Sequence, residues 1–161
     1  MWLPMQPSST LQQFLPYLLS ITSNAVSGRI ALEYRSRFGL SVPEWRVMAV
    51  LGDAGPLTQR DLTQRTLMDK VAVNRACKVL EERGFAVRQP NETDGRSHLL
   101  ELTAEGRTIH DQIMPLALEM ERQLFVDFDA DDMAKLRTFL SRLRSQVDEL
   151  PETDTGNFGV K

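Results

Sequence analysis

Residues 70–80 combine cationic, amide and small apolar side chains, and no carboxylate lies among residues 71–79. The apolar members follow the i, i+3, i+4, i+7 spacing of one buried helix face: Val73, Ala76, Cys77 and Leu80. The members that this spacing leaves pointing outward are Lys70, Val71, Ala72, Asn74, Arg75 and Lys78. Arginine and lysine donate to guanine edges, asparagine pairs with adenine through two hydrogen bonds, and small apolar groups contact the thymine methyl. The stretch is therefore typical of a helix that reads a DNA major groove.

This helix is predicted to be the second of a helix-turn-helix pair. Thr58 precedes Asp61 by three residues, which is the spacing of a capping box at the start of a helix. The first helix is therefore expected at residues 59–66. Asp69 is placed to cap the second helix, and Gly84 supplies the left-handed residue that ends it.

A hairpin is predicted directly after the pair. Strand-like runs at residues 85–89 and 98–102 flank a turn with an Asp-Gly signal at residues 93–96. Arg88, on the first of these strands, is included among the candidate DNA contacts. The alternative for the basic helix is an ordinary solvated face, since short motif matches are weak alone. The order helix, turn, helix, hairpin favours a winged helix that binds DNA.

Residues 57–106 resemble the multiple antibiotic resistance regulator (MarR) family of winged helix-turn-helix transcriptional regulators. The resemblance rests on four motifs: Met68-Asp69-Lys70, Leu80-Glu81-Glu82-Arg83-Gly84-Phe85, Asp94-Gly95-Arg96 and Leu102-Thr103-Ala104-Glu105-Gly106. It implies that the wing arginine, here Arg96, enters a minor groove. It also implies that Asp94 holds that arginine or a neighbouring side chain near the bases. An ordinary ion pair at the hairpin tip is the alternative for these two residues.

Further helices are expected before this lobe. A helical stripe of apolar residues runs from Leu11 and should end near Gly39, with Pro16 either bending the helix or marking its true first turn. Ser41 and Glu44 repeat the capping-box spacing and should open the next helix. The inner face and the end of that helix are predicted at Trp45, Met48, Ala49 and Gly52.

Two helices are expected after the lobe, one capped by Thr103 and bent at Pro115, the other capped by Asp129. In the last helix the apolar residues alternate at spacings of three and four: Met133, Leu136, Leu140, Leu143, Val147 and Leu150. The resemblance implies a homodimer in which the first and the last two helices intertwine, with recognition helices about 34–36 Å apart on successive major grooves. The alternative is a monomeric bundle that closes these stripes within one subunit.

The predicted fold class is mainly α with a small β-hairpin wing, in one domain with flexible ends. Its parts are a winged helix-turn-helix lobe at residues 43–103, dimerisation helices at residues 9–39 and 103–150, and flexible ends at residues 1–8 and 151–161. The ends are expected to be flexible because they are polar or rich in proline.

Composition indicates an ordinary globular chain of 161 residues, of which 42% are hydrophobic and 25% charged. The net charge is −3, yet residues 56–98 hold eight Lys or Arg against six Asp or Glu. The cations thus gather where DNA would bind. No apolar run approaches the roughly 18 residues of a membrane span, and the first residues lack the features of a signal peptide. A cytoplasmic location is therefore expected.

No group of residues supports catalysis, and no metal or cofactor is expected. His98, on the predicted wing strand, and His110, on an expected exposed turn of the long helix, are not spaced with carboxylates or cysteine as metal ligands. No phosphate-binding loop or nucleophile elbow is present. The single cysteine, Cys77, is predicted to be a small core residue rather than a redox sensor. We therefore expect no enzyme.

The predicted function is that of a homodimeric repressor that binds an inverted-repeat operator. The resemblance implies modulation by a small, phenolic or aromatic molecule in a crevice between the dimer helices and the winged lobe. Tyr34, Trp45 and Arg46 are candidates to line that crevice. Core packing is the alternative for the two aromatic residues, and a solvated or inter-helix charge is the alternative for the arginine. The alternative function is a winged-helix module that binds protein and not DNA.

Overall fold

The computed structural model describes residues 7–151. In chain order its elements are α1 (Pro7–Gln13), α2 (Leu15–Phe38), α3 (Val42–Ala54), β1 (Leu57–Thr58), α4 (Gln59–Thr66), α5 (Lys70–Glu82), β2 (Ala86–Pro90), β3 (His98–Leu102), α6 (Ala104–Leu124) and α7 (Ala130–Glu149). The chain divides into two compact units, Met1–Met120 and Glu121–Lys161. This mainly helical architecture with a small antiparallel sheet confirms the predicted fold class. Within residues 7–151 no helix is both long and apolar enough to cross a membrane.

The helix-turn-helix pair forms where its caps predict. Thr58 Oγ1 accepts a hydrogen bond from the Asp61 amide at 3.1 Å, and the Asp61 carboxylate accepts one from the Thr58 amide at 3.1 Å. Asp69 Oδ1 accepts a hydrogen bond from the Ala72 amide at 2.8 Å and so caps α5. These bonds satisfy amides that have no partner inside their helices. Gly84, with φ of 75°, follows the end of α5 as predicted.

A three-stranded antiparallel sheet forms the wing, in the order β1-β3-β2. The pairing of β2 with β3 runs from Ala86 opposite Leu102 to Pro90 opposite His98, so the first wing strand begins one residue later than predicted. The sequence analysis missed β1, which is only two residues long. Because β1 ends at the residue that caps α4, its pairing with β3 joins the start of the helix-turn-helix to the wing.

The apolar faces of α3, α4 and α5 meet in the core of the first unit. The largest fully buried side chains are Tyr34, Leu40, Met48, Leu51, Leu62, Leu80, Val47, Val73 and Cys77. All four residues of the predicted stripe on α5 are buried. Of the predicted inner face of α3, Met48 is buried and the half-buried Trp45 packs against the core, whereas Ala49 is only half-buried. Val47 and Leu51 are buried as well, since α3 packs against both α4 and α5.

The end of α3 also differs from the prediction. The helix continues past Gly52 and stops before Gly55, whose φ is 77°. Gly52 lies inside the helix, and a Cβ there would collide with the ring of His110 from α6. The glycine therefore permits close helix packing and does not end the helix. The expectation that His110 lies on an exposed turn was wrong for the same reason, since its ring packs against Gly52.

The N-terminal region of the first unit forms two helices. Phe14, in an extended conformation, separates α1 from α2, so the stripe from Leu11 does not lie on one continuous helix, and the alternative in which Pro16 marks the true first turn is confirmed. Pro16 lies in the first turn of α2, where its missing amide removes no helical hydrogen bond. Gly39 ends α2 with φ of 63°, as predicted. Of the ends predicted to be flexible, residues 1–6 and 152–161 lie outside the described residues, while Pro7 and Ser8 belong to α1 and residue 151 follows α7.

The two C-terminal helices have the predicted caps. Thr103 Oγ1 accepts a hydrogen bond from the Gly106 amide at 3.0 Å at the start of α6, and Pro115 lies inside that helix. In the second unit, Asp129 Oδ1 accepts a hydrogen bond from the Asp132 amide at 2.8 Å and opens α7. No residue of α7 is buried. Within the described part of the chain, Met133 and Leu136 of its apolar stripe are half-buried, and Leu140, Leu143, Val147 and Leu150 are exposed.

Candidate nucleic-acid interface

The predicted outward set of α5 is found on the solvent side of the helix. Its exposed members are Lys70, Val71, Asn74, Arg75 and Lys78, while Ala72 is half-buried. Val73, Ala76, Cys77 and Leu80 face the core on the opposite side. The same helix is thus anchored by one face and presents cations and an amide on the other, as major-groove reading requires.

Three of the candidate cations have unpaired side chains. Among the hydrogen bonds and ion pairs of residues 7–151, none uses the side-chain nitrogens of Lys70, Arg75 or Arg96. Lys78 Nζ lies 3.8 Å from Glu82 Oε1, but both side chains are well exposed, so this pair is weak. These four groups can therefore bind phosphate or base edges with little loss of internal bonding.

Two other arginines of the lobe are held by the fold. Arg88, a predicted DNA contact, donates through Nε to Glu81 on α5 and thereby joins β2 to the recognition helix. Arg83 donates to the carbonyl oxygens of Gly39 at 3.0 Å and Phe38 at 2.8 Å. The chain thus divides its cations between those that hold helices together and those that remain free, a distinction that sequence spacing does not reveal.

Asp94 shapes the backbone of the wing turn. Its Oδ1 accepts a hydrogen bond from the Arg96 amide at 3.0 Å, and its carbonyl accepts one from the Ser97 amide at 3.1 Å. Among the described residues no ion pair joins the Asp94 carboxylate to the Arg96 guanidinium, so the alternative of an ordinary ion pair at the hairpin tip is not found. The aspartate instead fixes the turn from which the arginine extends.

The outer face of α4 contributes to this surface, which was not predicted. A groove of about 530 Å³ lies between α4 and the start of α5, and its lining consists of Gln59, Arg60, Thr63, Gln64 and Lys70. Gln59 Nε2 donates to Asn74 Oδ1 at 3.1 Å, so a residue of the first helix contacts a candidate base-reading residue. The polar outer face of α4 was visible in the sequence, but the contact across the turn was not.

The turn between α4 and α5 contains a strained, exposed leucine. Leu67 has φ of 53°, in the left-handed region that leucine rarely adopts. Its side chain is 60% exposed, and Val71, four residues later, is 65% exposed. The start of the recognition helix therefore presents apolar surface beside its cations, and apolar groups there are suited to contact thymine methyls or sugars.

Tyr34, Trp45 and Arg46, the predicted ligand residues, lie together between α2 and α3. The Tyr34 ring meets Trp45 edge-on with centroids 5.2 Å apart, and burial raises the pKa of Tyr34. The Arg46 guanidinium lies 6.0 Å from the Trp45 ring centre and donates to Ser27 Oγ at 3.0 Å. Trp45 Nε1 is buried and is without a hydrogen-bond partner in the described part of the chain. Their ligand role stays a prediction.

Cys77 is a buried thiol on the inner face of α5, as predicted. Burial raises its pKa to about 11, which keeps the sulfur protonated and unreactive at neutral pH. His98 is exposed on β3. Within residues 7–151 no group of three or more His, Cys, Asp or Glu side chains is placed to hold a metal ion.

The fold and this surface define a winged helix-turn-helix protein. A sequence model of the MarR family matches residues 38–97. The helix-turn-helix-type transcriptional regulator YwoH of Bacillus subtilis is 33% identical over 102 residues, which cover 63% of this chain and 74% of YwoH. The multiple antibiotic resistance protein MarR of Escherichia coli is 26% identical over 121 residues, covering 74% of this chain and 84% of that protein.

Solved structures agree with these matches. A MarR/EmrR family regulator from Acinetobacter sp. ADP1 superposes with a TM-score of 0.81 at 26% identity, over 87% of this chain and 99% of that one. A cysteine-to-serine mutant of Escherichia coli MarR, complexed with operator DNA, superposes with a TM-score of 0.72 at 25% identity, over 80% of this chain and 92% of that one. The chain belongs to the MarR family of transcriptional regulators.

Proposed function

We propose that this chain is a homodimeric repressor that binds an inverted-repeat operator through α5 and the wing. The observation that carries the proposal is the set of cations that have no partner within residues 7–151, namely Lys70, Arg75 and Arg96, on the same lobe as the exposed amide of Asn74. Unpaired cations neutralise phosphate without first breaking internal ion pairs, and the amide supplies base selectivity. Binding without catalysis is the activity proposed. The MarR mutant structure with operator DNA supports it by analogy.

Dimerisation is proposed through the helices that leave apolar residues exposed. The stripe of α7 includes Leu140, Leu143 and Val147, each about half exposed. On α1 and α2, Leu11, Leu15 and Leu19 are exposed as well. Exposed leucines at helical spacing are expected to be covered by a second copy of the chain, because dimers with two-fold symmetry match inverted repeats.

The roles of the individual side chains follow from their chemistry. Asn74 and Arg75 are proposed to contact base edges, because amides and guanidinium groups make two-bond contacts to adenine and guanine. Lys70, Lys78 and Arg96 are proposed to bind phosphate or the minor groove, with Val71 and Ala72 contacting thymine methyls. Arg88 would contribute to DNA binding only by exchanging its bond with Glu81 for a phosphate. Asp94 would act by holding the turn that carries Arg96.

Selection of bound sequences from a random duplex library tests the proposal directly. An inverted repeat with half-sites one helical turn apart is the expected result. Affinity for that duplex should fall steeply with salt, and Arg96→Ala should lower the slope of log affinity against log salt by about 0.9 per lost phosphate contact. Binding that is absent, or that ignores both sequence and salt, would instead favour a winged-helix module that binds protein.

A small-molecule effector is part of the proposal, with Trp45 as the residue to examine. Its indole Nε1 is a buried donor that has no partner among the described residues, and Tyr34 and Arg46 adjoin its ring. An aromatic compound with a hydrogen-bond acceptor would satisfy that donor. Titration of a phenolic carboxylate, followed by the intrinsic fluorescence of Trp2 and Trp45, measures such binding, with Trp45→Phe as the control that leaves only Trp2. A signal that is unchanged in the control would place the ligand elsewhere.

A further inference from the structure

Gln59, the first residue of α4, contacts the outward face of α5. Its Nε2 donates to Asn74 Oδ1 at 3.1 Å. Asn74 is exposed and Gln59 is half-buried, so the pair lies at the surface that is proposed to meet DNA. It is a side-chain contact between the first helix of the pair and a candidate base-reading residue.

Both ends of this contact are held by the fold. The backbone of Gln59 follows Thr58, whose capping box with Asp61 fixes the start of α4, and the Gln59 carbonyl accepts a hydrogen bond from Thr63 Oγ1 at 2.9 Å. Asn74 follows the fully buried Val73 on a helix capped by Asp69. The backbone positions of the two residues are therefore set by the caps and by the packing of α4 on α5, and the two amides meet at the surface.

The direction of the bond determines what Asn74 can offer to a base. An asparagine side chain has one oxygen with two acceptor sites and one nitrogen with two donor hydrogens. Donation from Gln59 occupies one acceptor site, and in this geometry the Asn74 oxygen is turned toward α4. One acceptor site and both donor hydrogens remain free. Adenine requires one acceptor, for its N6 amino group, and one donor, for N7.

We propose that Gln59 is a positioning residue that fixes the orientation of the Asn74 amide and thereby sets base preference in the operator. The inference rests on the proposed function, since it needs Asn74 to contact a base. A free asparagine can rotate its amide and present donor and acceptor in either order. The bond from Gln59 selects one order before DNA arrives, so less side-chain freedom is lost on binding.

Glutamate at position 59 provides a sharp test because it reverses the bonding. A carboxylate only accepts, so in Gln59→Glu the Asn74 nitrogen must turn toward residue 59 and the oxygen away from it. The donor and acceptor would then be exchanged at the DNA surface. Gln59→Ala removes the bond without imposing an orientation. The Ala variant should therefore weaken the base preference, and the Glu variant should weaken it further.

The experiment measures affinity ratios between duplexes that differ at one base pair of the selected operator. Asn74→Ala identifies the base pair that Asn74 reads, and the ratio there should fall by about 5- to 150-fold, the value of a two-bond base contact. Gln59→Ala should lower the same ratio by about 2- to 10-fold, the range for one lost hydrogen bond. In the Asn74→Ala background, Gln59→Ala should change nothing further.

The added negative charge of Gln59→Glu should weaken binding to all duplexes alike. This general electrostatic effect cancels in the affinity ratio between duplexes, so the ratio reports only base preference. Gln112→Ala, at an exposed glutamine on α6, is the matched control and should leave the ratio unchanged. If Asn74→Ala lowers the ratio while both Gln59 variants retain it, the inference is wrong and the proposed function stands. If the wild-type chain shows no base preference on any duplex, the proposed function fails and the inference with it.

Discussion

Helices α5 and α7 carry similar apolar periodicity, yet the chain buries only one of the two stripes. On α5, Leu80 is 0% exposed, together with the buried Val73 and Cys77. On α7, Leu143 is 46% exposed, and no residue of that helix is buried. Each helix begins at an aspartate cap that bonds an amide of its first turn. The local signals for forming a helix are therefore equivalent in the two regions.

The difference lies in what covers the apolar face. The stripe of α5 packs against α3 and α4, so its burial is complete within one chain. On α7, Leu140, Leu143 and Val147 are about half exposed, and contiguous exposed apolar residues mark interaction surfaces. The spacing of apolar residues thus predicts that a helix has an apolar face, but it does not predict which element or chain covers that face. The same pattern supports the fold in α5 and, under our proposal, assembly in α7.

The two stripes should differ most in how much stability is lost when one of their leucines is replaced by alanine. Leu80→Ala should lower the free energy of unfolding by about 2–5 kcal/mol, because it leaves a cavity in a packed core. Urea unfolding should show this loss equally at every protein concentration. Leu143→Ala is the matched variant, and its loss should grow with protein concentration because it acts through the dimer. Equal, concentration-independent losses for both would mean that α7 is covered by its own chain.

A charged side chain introduced into the apolar stripe of α7 should weaken dimerisation. Leu140→Glu should weaken dimerisation at least about tenfold, because an unpaired carboxylate is costly to bury at an interface. Sedimentation velocity at micromolar concentration measures the change, and Lys135→Glu, outside the stripe, is the control. A variant that remains dimeric would exclude this face of α7 from the interface. A wild-type monomer that binds an inverted repeat at full affinity would contradict the proposed assembly.

Removal of a helix cap should lower helix stability by a similar amount in both regions, because a cap acts within one turn. Thr58→Ala and Asp129→Ala should each lower helix stability by about 1 kcal/mol, measured by urea unfolding with circular dichroism. Thr108→Ala, whose hydroxyl bonds only a carbonyl of its own helix, is the control. A much smaller cost at one of the two caps would show that the helix it opens unfolds separately.

The Thr58 cap also has a pH dependence. Hydrogen bonds from Thr58 hold the pKa of Asp61 below its ordinary value of 3.8. A carboxyl group with a lowered pKa stabilises the fold above the ordinary value, and that contribution is lost as pH falls through the folded-state pKa. The stability difference between wild type and Asp61→Asn should therefore be constant near neutral pH and shrink below pH 3.8.

Much of the fold could be predicted because its determinants are local. The caps at Thr58, Asp69 and Asp129 and the left-handed Gly84 each act within one turn, so the sequence reveals them. The end of α3 could not be predicted, because Gly52 is retained for the packing of His110, which lies 58 positions away in sequence. The two-residue β1 is similarly defined only by its partner strand.

The candidate site was predictable in its residue types and less so in its bonding. Facing directions on α5 follow from helical period, so the predicted outward residues are exposed, except for the half-buried Ala72. Which cations are free depends on distant partners: the Arg88 side chain meets Glu81, and the Arg83 side chain meets the end of α2. The Gln59 contact was missed for the same reason, since it crosses between helices at a geometry that spacing does not encode.

The smallest expected signal comes from thiol chemistry on the two stripes. Cys77 lies on the α5 stripe, and burial raises its pKa from 9.0 to about 11, which lowers the thiolate fraction at pH 8 about a hundredfold. Because the thiolate is the reactive form, Ellman's reagent should modify Cys77 only after unfolding. In a Cys77→Ala background, Leu143→Cys should react rapidly in dilute protein and slowly where the dimer covers it. Rapid labelling of Cys77 in the folded chain would mean that the α5 stripe opens readily, and equal labelling of position 143 at all concentrations would mean that no second copy covers α7.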